Sequence, residues 1–484
     1  MTQYEPIIGL ETHIQLNTQS KIFCSCKADS WYDPPNTNIC PVCMGLPGVL
    51  PVLNEKSVEK AMLLATAMKA EIRPLSYFDR KNYFYPDLPK GYQISQYDMS
   101  LAKGGYIDLP MPDSSGLSTT SYTRRIGITK LHLEEDAGKT KNENGQRQID
   151  FNRCGVPLVE MVTGPDLRSA DEASQYLIRL RQLLRWIGIS EADMEKGHLR
   201  CDANVSIRPV GAEYLNPKTE IKNVNSIEAV RDAISKEIER QIRETEAGHK
   251  IEAWTLEWDE DRGVLKKMRS KETEADYRYF REPDLLPLRV DEVWKEKVIA
   301  TLPELPLQRR QRFIDEYNLP EYDADILTGE RGLSDFFESA VKAYQGESKK
   351  VSNWIMNDVL RMLKDRDIQP NQLFLQPTDL VEIITMVDKG VINTSTGKSL
   401  LDKVEQAHKK PGELVKSENL AKVNDEGAIL AACMAVLDEN LGEVATYKAG
   451  KLTLMGWFVG QVMRKTQGKA DPGMIKGLLE RLLK

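Results

Sequence analysis

Alternating apolar and polar residues in short runs dominate the chain to about residue 290, and apolar positions at helical spacing dominate the remainder. Period two marks half-buried strands, whereas steps of three and four mark one face of a helix. Strands are therefore predicted over residues 7–16, 126–134, 148–152, 158–162, 201–208 and 219–224. A helix over 58–70 carries the small-residue stripe Ala61, Leu64, Ala65 and Met68. Ser169-Ala-Asp-Glu172 has the form of a capping box, opening a helix that runs to Gly188. Asn225-Ser-Ile-Glu228 opens another, with Ile227, Val230, Ile234, Ile238 and Ile242 on one face. Strands separated by irregular loops, without regular strand–helix alternation, predict an α+β domain with a largely antiparallel sheet. After Pro287 the pattern turns to helices punctuated by Pro303, Pro306, Pro320 and Pro370, and composition breaks again at Lys409-Lys-Pro-Gly412. Three segments are expected: a mixed domain over 1–295, an all-α domain over 296–410 and a small helical tail over 411–484.

With 484 residues, 29% charged and 41% hydrophobic, the composition is that of an ordinary multidomain globular protein. The uncharged stretch 34–54 matches a membrane span in length, but its five prolines and two cysteines make it a loop. A net charge of −7 argues against a diffuse basic surface for nucleic acid. From Glu443 onward the balance reverses, eight Lys and Arg facing three Asp and Glu. That basic stretch suits either an RNA contact or a solvated helix face.

Cys24-x-Cys26 and Cys40-x-x-Cys43 flank a thirteen-residue loop. Two short-spaced thiol pairs can close a tetrahedral zinc shell. The alternatives are free thiols or disulfides. The odd total of seven cysteines and the absence of a leader before Met-Thr-Gln-Tyr weigh against disulfides and lead us to expect a cytoplasmic protein. A closed four-thiolate shell keeps no open position, so its zinc would be structural.

The strands carry a second chemistry. Glu11, His13 and Gln15 share one face of the first strand. His132 and Glu134 share a face in Lys130-Leu-His-Leu-Glu-Glu-Asp136, with Glu135 on the other. Leu199-Arg-Cys-Asp-Ala-Asn-Val205 adds Asp202 and Asn204, and Thr219-Glu-Ile-Lys-Asn-Val224 adds Glu220 and Lys222. Any one such face reads equally as surface ion pairs, but four together suit an oxygen-rich Mg²⁺ site bridging to phosphate. The segment from Tyr77 to Tyr97 is rich in aromatic residues and reads as an ordered ligand wall. Lys81, Asn82 and Lys90 there are candidates for phosphate, and Tyr83 or Tyr92 for stacking on a base, unless the tyrosines brace the loop. Gly397-Lys-Ser399 lacks the upstream glycine of a P-loop, and no G-x-G-x-x-G or G-x-S-x-G occurs, so an ATP site must be of the sheet-and-magnesium kind.

Five phrases, in order, carry a resemblance. They are Gly9-Leu-Glu-Thr-His13, Cys40-Pro-Val-Cys-Met-Gly-Leu-Pro-Gly48, Leu131-His-Leu-Glu-Glu-Asp-Ala-Gly-Lys139, Asn152-Arg-Cys-Gly-Val-Pro-Leu-Val-Glu160, and Met268-Arg-Ser-Lys-Glu272 with Asp276-Tyr-Arg-Tyr-Phe280. Together with Gly460-Gln-Val-Met463 and Gly468-Lys-Ala-Asp-Pro472, they make the chain closely resemble the B subunits of the tRNA-dependent aspartyl/glutamyl amidotransferases. The resemblance implies a first domain that is a cradle of the glutamine synthetase and guanido kinase type, then a helical domain and a tail related to a small stand-alone helical protein. It implies a ligase forming carbon–nitrogen bonds with glutamine as amido donor, in a heterotrimer whose A subunit is an amidase and whose C subunit is small. Its substrates would be ATP and misacylated Glu-tRNA(Gln) or Asp-tRNA(Asn), with Mg²⁺ as cofactor and no membrane. By the same resemblance Glu11, His13, Glu134 and Glu135 would hold or orient magnesium, and Asp202 and Glu220 would complete the acidic pocket. Lys81, Asn82, Lys222 and Ser270 would meet phosphate or the aminoacyl group. Lys451, Arg464, Lys465 and Lys469 are candidates for the tRNA backbone, and Asp471-Pro472 opens the last helix with an N-cap acid. Gly456-x-x-x-Gly460 is expected at a close helix contact. Two readings compete: a non-catalytic, zinc-braced tRNA-binding scaffold, which leaves the acidic strand faces without a purpose, and a metallohydrolase, for which five scattered histidines are a poor ligand set.

Overall fold

The structure is a computed structural model that describes residues 3–112, 120–143, 145–270, 274–421, 426–466, 468 and 470–483. The chain forms two units, Met1–Gln308 and Arg309–Lys484.

The first unit is built on a ten-stranded sheet. Its main elements, in chain order, are β1 (Tyr4–Gln15), α1 (Glu55–Ala67), β2 (Thr120–Glu135), β3 (Pro157–Thr163), α2 (Ala170–Trp186), β4 (Leu199–Pro209), β5 (Thr219–Lys222), α3 (Ile227–Glu246), β6 (Trp254–Asp259) and β7 (Val264–Ser270). The strands lie in the order β7-β6-β5-β4-β1-β3-β2, followed by short strands beyond β2. Every neighbouring pair in this run is antiparallel except β5 with β6. The α+β class expected from the irregular spacing of strands is the class observed.

Alternation along these strands separates two chemistries. Leu10, Ile14, Leu131, Leu133, Val159, Met161, Ala203, Val205 and Ile221 are buried in one core. Tyr176, Leu177, Leu180 and Leu184 of α2, Val230, Ala233 and Ile234 of α3, and Val58, Ala61, Met62 and Ala65 of α1 belong to the same core. Each buried aliphatic side chain of this kind contributes about 1.5–3 kcal/mol. One face of the sheet is therefore fixed against helices, and every polar residue of the opposite parity is committed to the other face.

Local signals account for the helix starts. Ser226 Oγ accepts the Ala229 N–H at 3.0 Å and starts α3. Ser169 Oγ accepts the Glu172 N–H at 3.1 Å, but the Glu172 carboxylate accepts the Arg168 N–H at 2.7 Å, one residue before the position a capping box would use. The buried Glu172 also takes Tyr122 Oη–H and Arg124 Nε–H, which draws it away from the cap.

The second unit holds two separate hydrophobic cores, one spanning Phe313 to Val415 and the other Ile429 to Leu483. In the second, Asp471 accepts the Met474 N–H at 3.0 Å with Pro472 at the first helical position, as its sequence predicts. Gly456 and Gly460 face open space, so the close packing expected of them is absent. No helix among the described residues is long and apolar enough to cross a membrane.

Candidate catalytic face and thiolate site

Strand register assembles the polar face. Arg200 of β4, His13 of β1, Glu160 of β3 and His132 of β2 stand directly opposite one another in a row across four strands. Asp202, Glu11, Val162 and Lys130 form the next row, and Glu134 lies opposite Leu158, which lies opposite Gln15. Glu160 is the central member. Its Oε2 lies 3.5 Å from His13 Nε2 and 3.3 Å from His132 Nε2. Glu134 approaches the same two nitrogens at 3.7 and 3.6 Å and accepts Ser95 Oγ–H at 3.2 Å.

One ligand atom each from His13, Glu134 and Glu160 lies within 4.8 Å of the other two. Magnesium–ligand bonds of about 2.1 Å place neighbouring ligands about 3–4 Å apart, so small side-chain rotations close this set on a divalent ion. The electrostatics favour a cation. Burial opposes protonation of both imidazoles, yet Glu160 and Glu134 overcome it, raising His13 and carrying His132 up to about 9. Burial likewise opposes ionisation of the carboxylates, and the histidines outweigh it, lowering Glu134 and holding Glu160 well below the usual range. Two carboxylates in so dry a place need positive company, which imidazolium protons or a metal ion can supply.

The neighbouring acidic group is arranged differently. Lys222 Nζ lies 2.5 Å from Asp202 Oδ2 and 3.6 Å from Glu220 Oε1. Glu11 accepts Asn204 Nδ2–H at 3.1 Å. Glu11, Asp202 and Glu220 thus share the face with His13, but the charge beside Asp202 and Glu220 comes from a lysine. At the end of the central row, Arg200 Nη2 donates to Asp136 Oδ1 at 3.0 Å, and Arg153 Nε lies 3.6 Å from the other oxygen.

Of the adjacent pair Glu134 and Glu135, only Glu134 faces the histidines. Glu135, expected at the cation, belongs to the opposite parity of β2, where its carboxylate pairs with Lys90 and accepts the Ile94 N–H at 2.8 Å. Lys90, expected at phosphate, is consumed by this buried pair. A regular strand cannot turn adjacent residues to one face.

The four Sγ atoms of Cys24, Cys26, Cys40 and Cys43 also lie within 4.8 Å of one another, near the roughly 3.8 Å that Zn–S bonds of about 2.3 Å require. All seven cysteines are free. The Cys40–Cys43 turn closes with Met44 N–H on Cys40 O at 3.1 Å and Gly45 at φ +64°. Cys43, hydrogen-bonded by Cys24 and attracted by Lys21, is held down to about 5, so one thiolate is already prepared. Lys21 is fully buried, its Nζ 3.7 Å from Cys43 Sγ and 2.8 Å from Asn38 O. The donor set fits zinc, and a buried ammonium suits the excess negative charge of four thiolates around a divalent ion.

A polar strand face bearing a candidate cation site, beside a four-cysteine loop, is the arrangement to set against known proteins. Residues 6–296 match the sequence model of the GatB/GatE catalytic domain, and residues 335–483 match that of the GatB domain. The B subunit of the aspartyl/glutamyl-tRNA(Asn/Gln) amidotransferase of Thermodesulfovibrio yellowstonii is 47% identical over 483 residues, covering all of both chains. The proteins of the same name from Persephonella marina and Moorella thermoacetica are 47% and 45% identical, over 100% and 99% of this chain and all of theirs. The chain belongs to this family of amidotransferase B subunits.

The remaining expected residues lie on other elements, though Tyr83 is close enough to feel the charges of Glu134 and Asp136. Lys81, Asn82, Tyr83 and Tyr92 occupy or adjoin a small separate sheet formed by Asp79–Asn82, Tyr92–Ser95 and Phe280–Arg281. Asn82 Nδ2 donates to Tyr277 O and Arg278 O, Lys81 Nζ lies 4.8 Å from the Tyr277 ring centroid, and Tyr83 packs edge-on to Tyr85 and Tyr277. Arg80 covers the Tyr92 ring at 4.3 Å. These contacts are compatible with the bracing role that their sequence allows. Ser270 ends β7 in register with Trp254. In the tail, Lys465 pairs with Glu439, Arg464 and Lys451 are exposed without an ion pair among the described residues, and Lys469 lies outside them. Glu160 is the residue that strand-by-strand reading misses. Its signal is a lone acid at the polar-face position of Pro157-Leu-Val-Glu-Met-Val-Thr163.

Proposed function

We propose that this chain is the synthetic component of a glutamine-dependent tRNA amidotransferase, with an amidase and a small third protein as its partners in the cytoplasm. It phosphorylates the side-chain carboxylate of Glu-tRNA(Gln), Asp-tRNA(Asn) or both with ATP, and ammonia delivered by the amidase displaces the phosphate to leave the amide. On this reading the first domain is a cradle of the glutamine synthetase and guanido kinase type, and the exposed Lys451 and Arg464, with Lys465 and Lys469, contact tRNA phosphates.

The observation that carries the proposal is the His13–Glu160–His132 row with Glu134 beside it. A carboxylate resists ammonia because it is anionic and lacks a leaving group, and phosphorylation corrects both faults. That step drives two anions together, so the site must neutralise charge and fix approach geometry. His13, Glu134 and Glu160 would hold magnesium, which would supply positive charge to screen the triphosphate. Arg200, anchored by Asp136, and Lys222, anchored by Asp202, extend fixed positive charge along the same face. Glu11, one row from His13, would add a carboxylate to the surroundings of such a cation. Cys24, Cys26, Cys40 and Cys43 would hold zinc through four protein ligands, which would leave it a structural role in bracing the loop.

The test is ATP turnover by the chain with its partner proteins, with and without Glu-tRNA(Gln), for wild type and Glu11→Ala. Turnover stimulated by the aminoacyl-tRNA and abolished by the substitution is expected. Turnover indifferent to Glu11 would leave the acidic face structural and favour the scaffold reading.

A further inference from the structure

Two adjoining cavities, about 350 and 510 Å³ in volume, open beside the catalytic face. Both are lined by Gln15, Asp29, Trp31, Lys196 and His198. Gln15 shares its face of β1 with His13, so the groove begins next to the candidate cation site. Trp31 is 44% exposed in the groove wall, with Lys139 Nζ 5.0 Å from its ring centroid.

Lys139 and Lys141 reach the groove from the strand Lys139–Glu143, and neither forms an ion pair among the described residues. Burial, then the charges of Lys141 and Arg153, lower the proton affinity of Lys139, although Asp150 stands opposite it in the hairpin and works the other way. Crowded cations are relieved when an anion enters. The carboxylates of the smaller cavity are already engaged: Asp33 with Lys27 at 3.3 Å, Asp29 with the Trp31 N–H, and Asp150 with the Asn36 and Asn152 N–H groups.

The wall is also built to hold its shape. Asn36 Nδ2 donates to Ile149 O at 3.0 Å, Asn38 N–H donates to Asn152 Oδ1 at 2.8 Å, and Asn152 Nδ2 donates to Pro34 O at 2.8 Å. These bonds tie the cysteine loop, a few residues beyond Trp31, to residues 149–152. Trp31 is therefore a large, part-exposed ring on a wall held in place by hydrogen bonds.

We propose that the groove binds a nucleotide unit, with its base on Trp31, its phosphate at Lys139 and Lys141, and its reacting end directed past Gln15 toward His13. The inference rests on the proposed function, which brings two nucleotides to His13: ATP and the 3′-terminal nucleotide that bears the amino acid. Both present a flat base and an adjacent phosphate, the chemistry this groove matches.

Equilibrium binding to the full-length chain tests it, using a non-hydrolysable ATP analogue with Mg²⁺ and, separately, Glu-tRNA(Gln). Trp31→Ala and Lys139→Ala should each weaken one probe by about tenfold, the loss typical of removing one base-stacking ring. Trp31→Phe should retain wild-type affinity, and the probe that is weakened names the source of the nucleotide. Both side chains border solvent, so melting temperatures should hold. Unchanged affinity for both probes in both alanine variants would overturn the groove assignment, while aminoacyl-tRNA-stimulated ATP turnover by wild type would leave the proposed function standing. If wild type binds neither probe and turns over no ATP, both readings fall.

Discussion

Glu160 stands directly opposite His13 in the β1–β3 ladder, its Oε2 3.5 Å from the imidazole Nε2, and the same oxygen lies 3.3 Å from His132 on the other side. A carboxylate shared by two imidazoles in a dry setting is a strong negative centre, and it should contribute heavily to cation affinity. Glu160→Gln keeps the shape and removes the charge. Its affinity for Mn²⁺, followed by magnetic resonance as a probe of the magnesium site, should fall at least about tenfold, a loss seen even for outer-shell partners. ATP turnover should fall with it. Unaltered Mn²⁺ binding would remove Glu160 from the site.

Glu135 makes the opposite prediction although it adjoins Glu134. It and Lys90 are both buried, and its carboxylate also satisfies the Ile94 N–H. Glu135→Ala leaves an ammonium and an amide stranded, and breaking a buried pair in this way costs about 3–5 kcal/mol. Denaturant melts should therefore register a large loss, while Mn²⁺ affinity stays at the wild-type level. A variant of normal stability with weakened metal binding would return Glu135 to the cation.

The contrast between these two glutamates shows what was legible in the sequence. Period-two alternation places Glu11, His13, His132, Glu134, Asp202, Glu220 and Lys222 on polar strand faces, because parity within a strand is a local property. Which strands lie side by side is not local. β3 sits between β1 and β2 although β2 precedes it in the chain, and only that order brings Glu160 between two histidines. Tyr83 and Tyr92 suit a base in sequence because their segment is polar and rich in proline. Their rings instead meet Tyr277 and Arg80, the first nearly two hundred positions away. The cysteine set was legible from spacing alone, whereas the buried Lys21 beside it was not, since nothing local distinguishes a lysine that folds inward.

Lys21 supplies the third prediction. Its ammonium is fully buried 3.7 Å from Cys43 Sγ, and four thiolates around zinc carry an excess of two negative charges. Lys21→Met preserves the apolar stem and removes the compensating charge, so zinc affinity measured by chelator competition should fall about 10- to 100-fold, as for other outer-shell substitutions. Chelation of the wild-type protein should release one zinc per chain and loosen the segment bearing Trp31, which protease sensitivity at residues 27–39 would reveal. Wild-type zinc affinity in Lys21→Met would show that the lysine serves packing alone.

The helical unit carries a pH-dependent interaction of its own. Arg312 donates to both oxygens of Glu338 at 2.9 and 3.1 Å, and Lys342 lies 3.0 Å away. These cations, Arg312 foremost, outweigh burial and bring Glu338 from its ordinary 4.5 down to about 2. Because the folded value lies below the unfolded one, the native state holds fewer protons between them. The stabilisation is complete above about pH 5 and drains away as pH falls toward 2. Part of the site is solvated, so the contribution should stay within the ~0.2–1 kcal/mol measured for ion pairs near the surface. Glu338→Gln should therefore be less stable than wild type at pH 7 and converge with it near pH 2, read from urea midpoints across that range. A constant gap between the two proteins at every pH would assign the loss to packing and not to the ion pair.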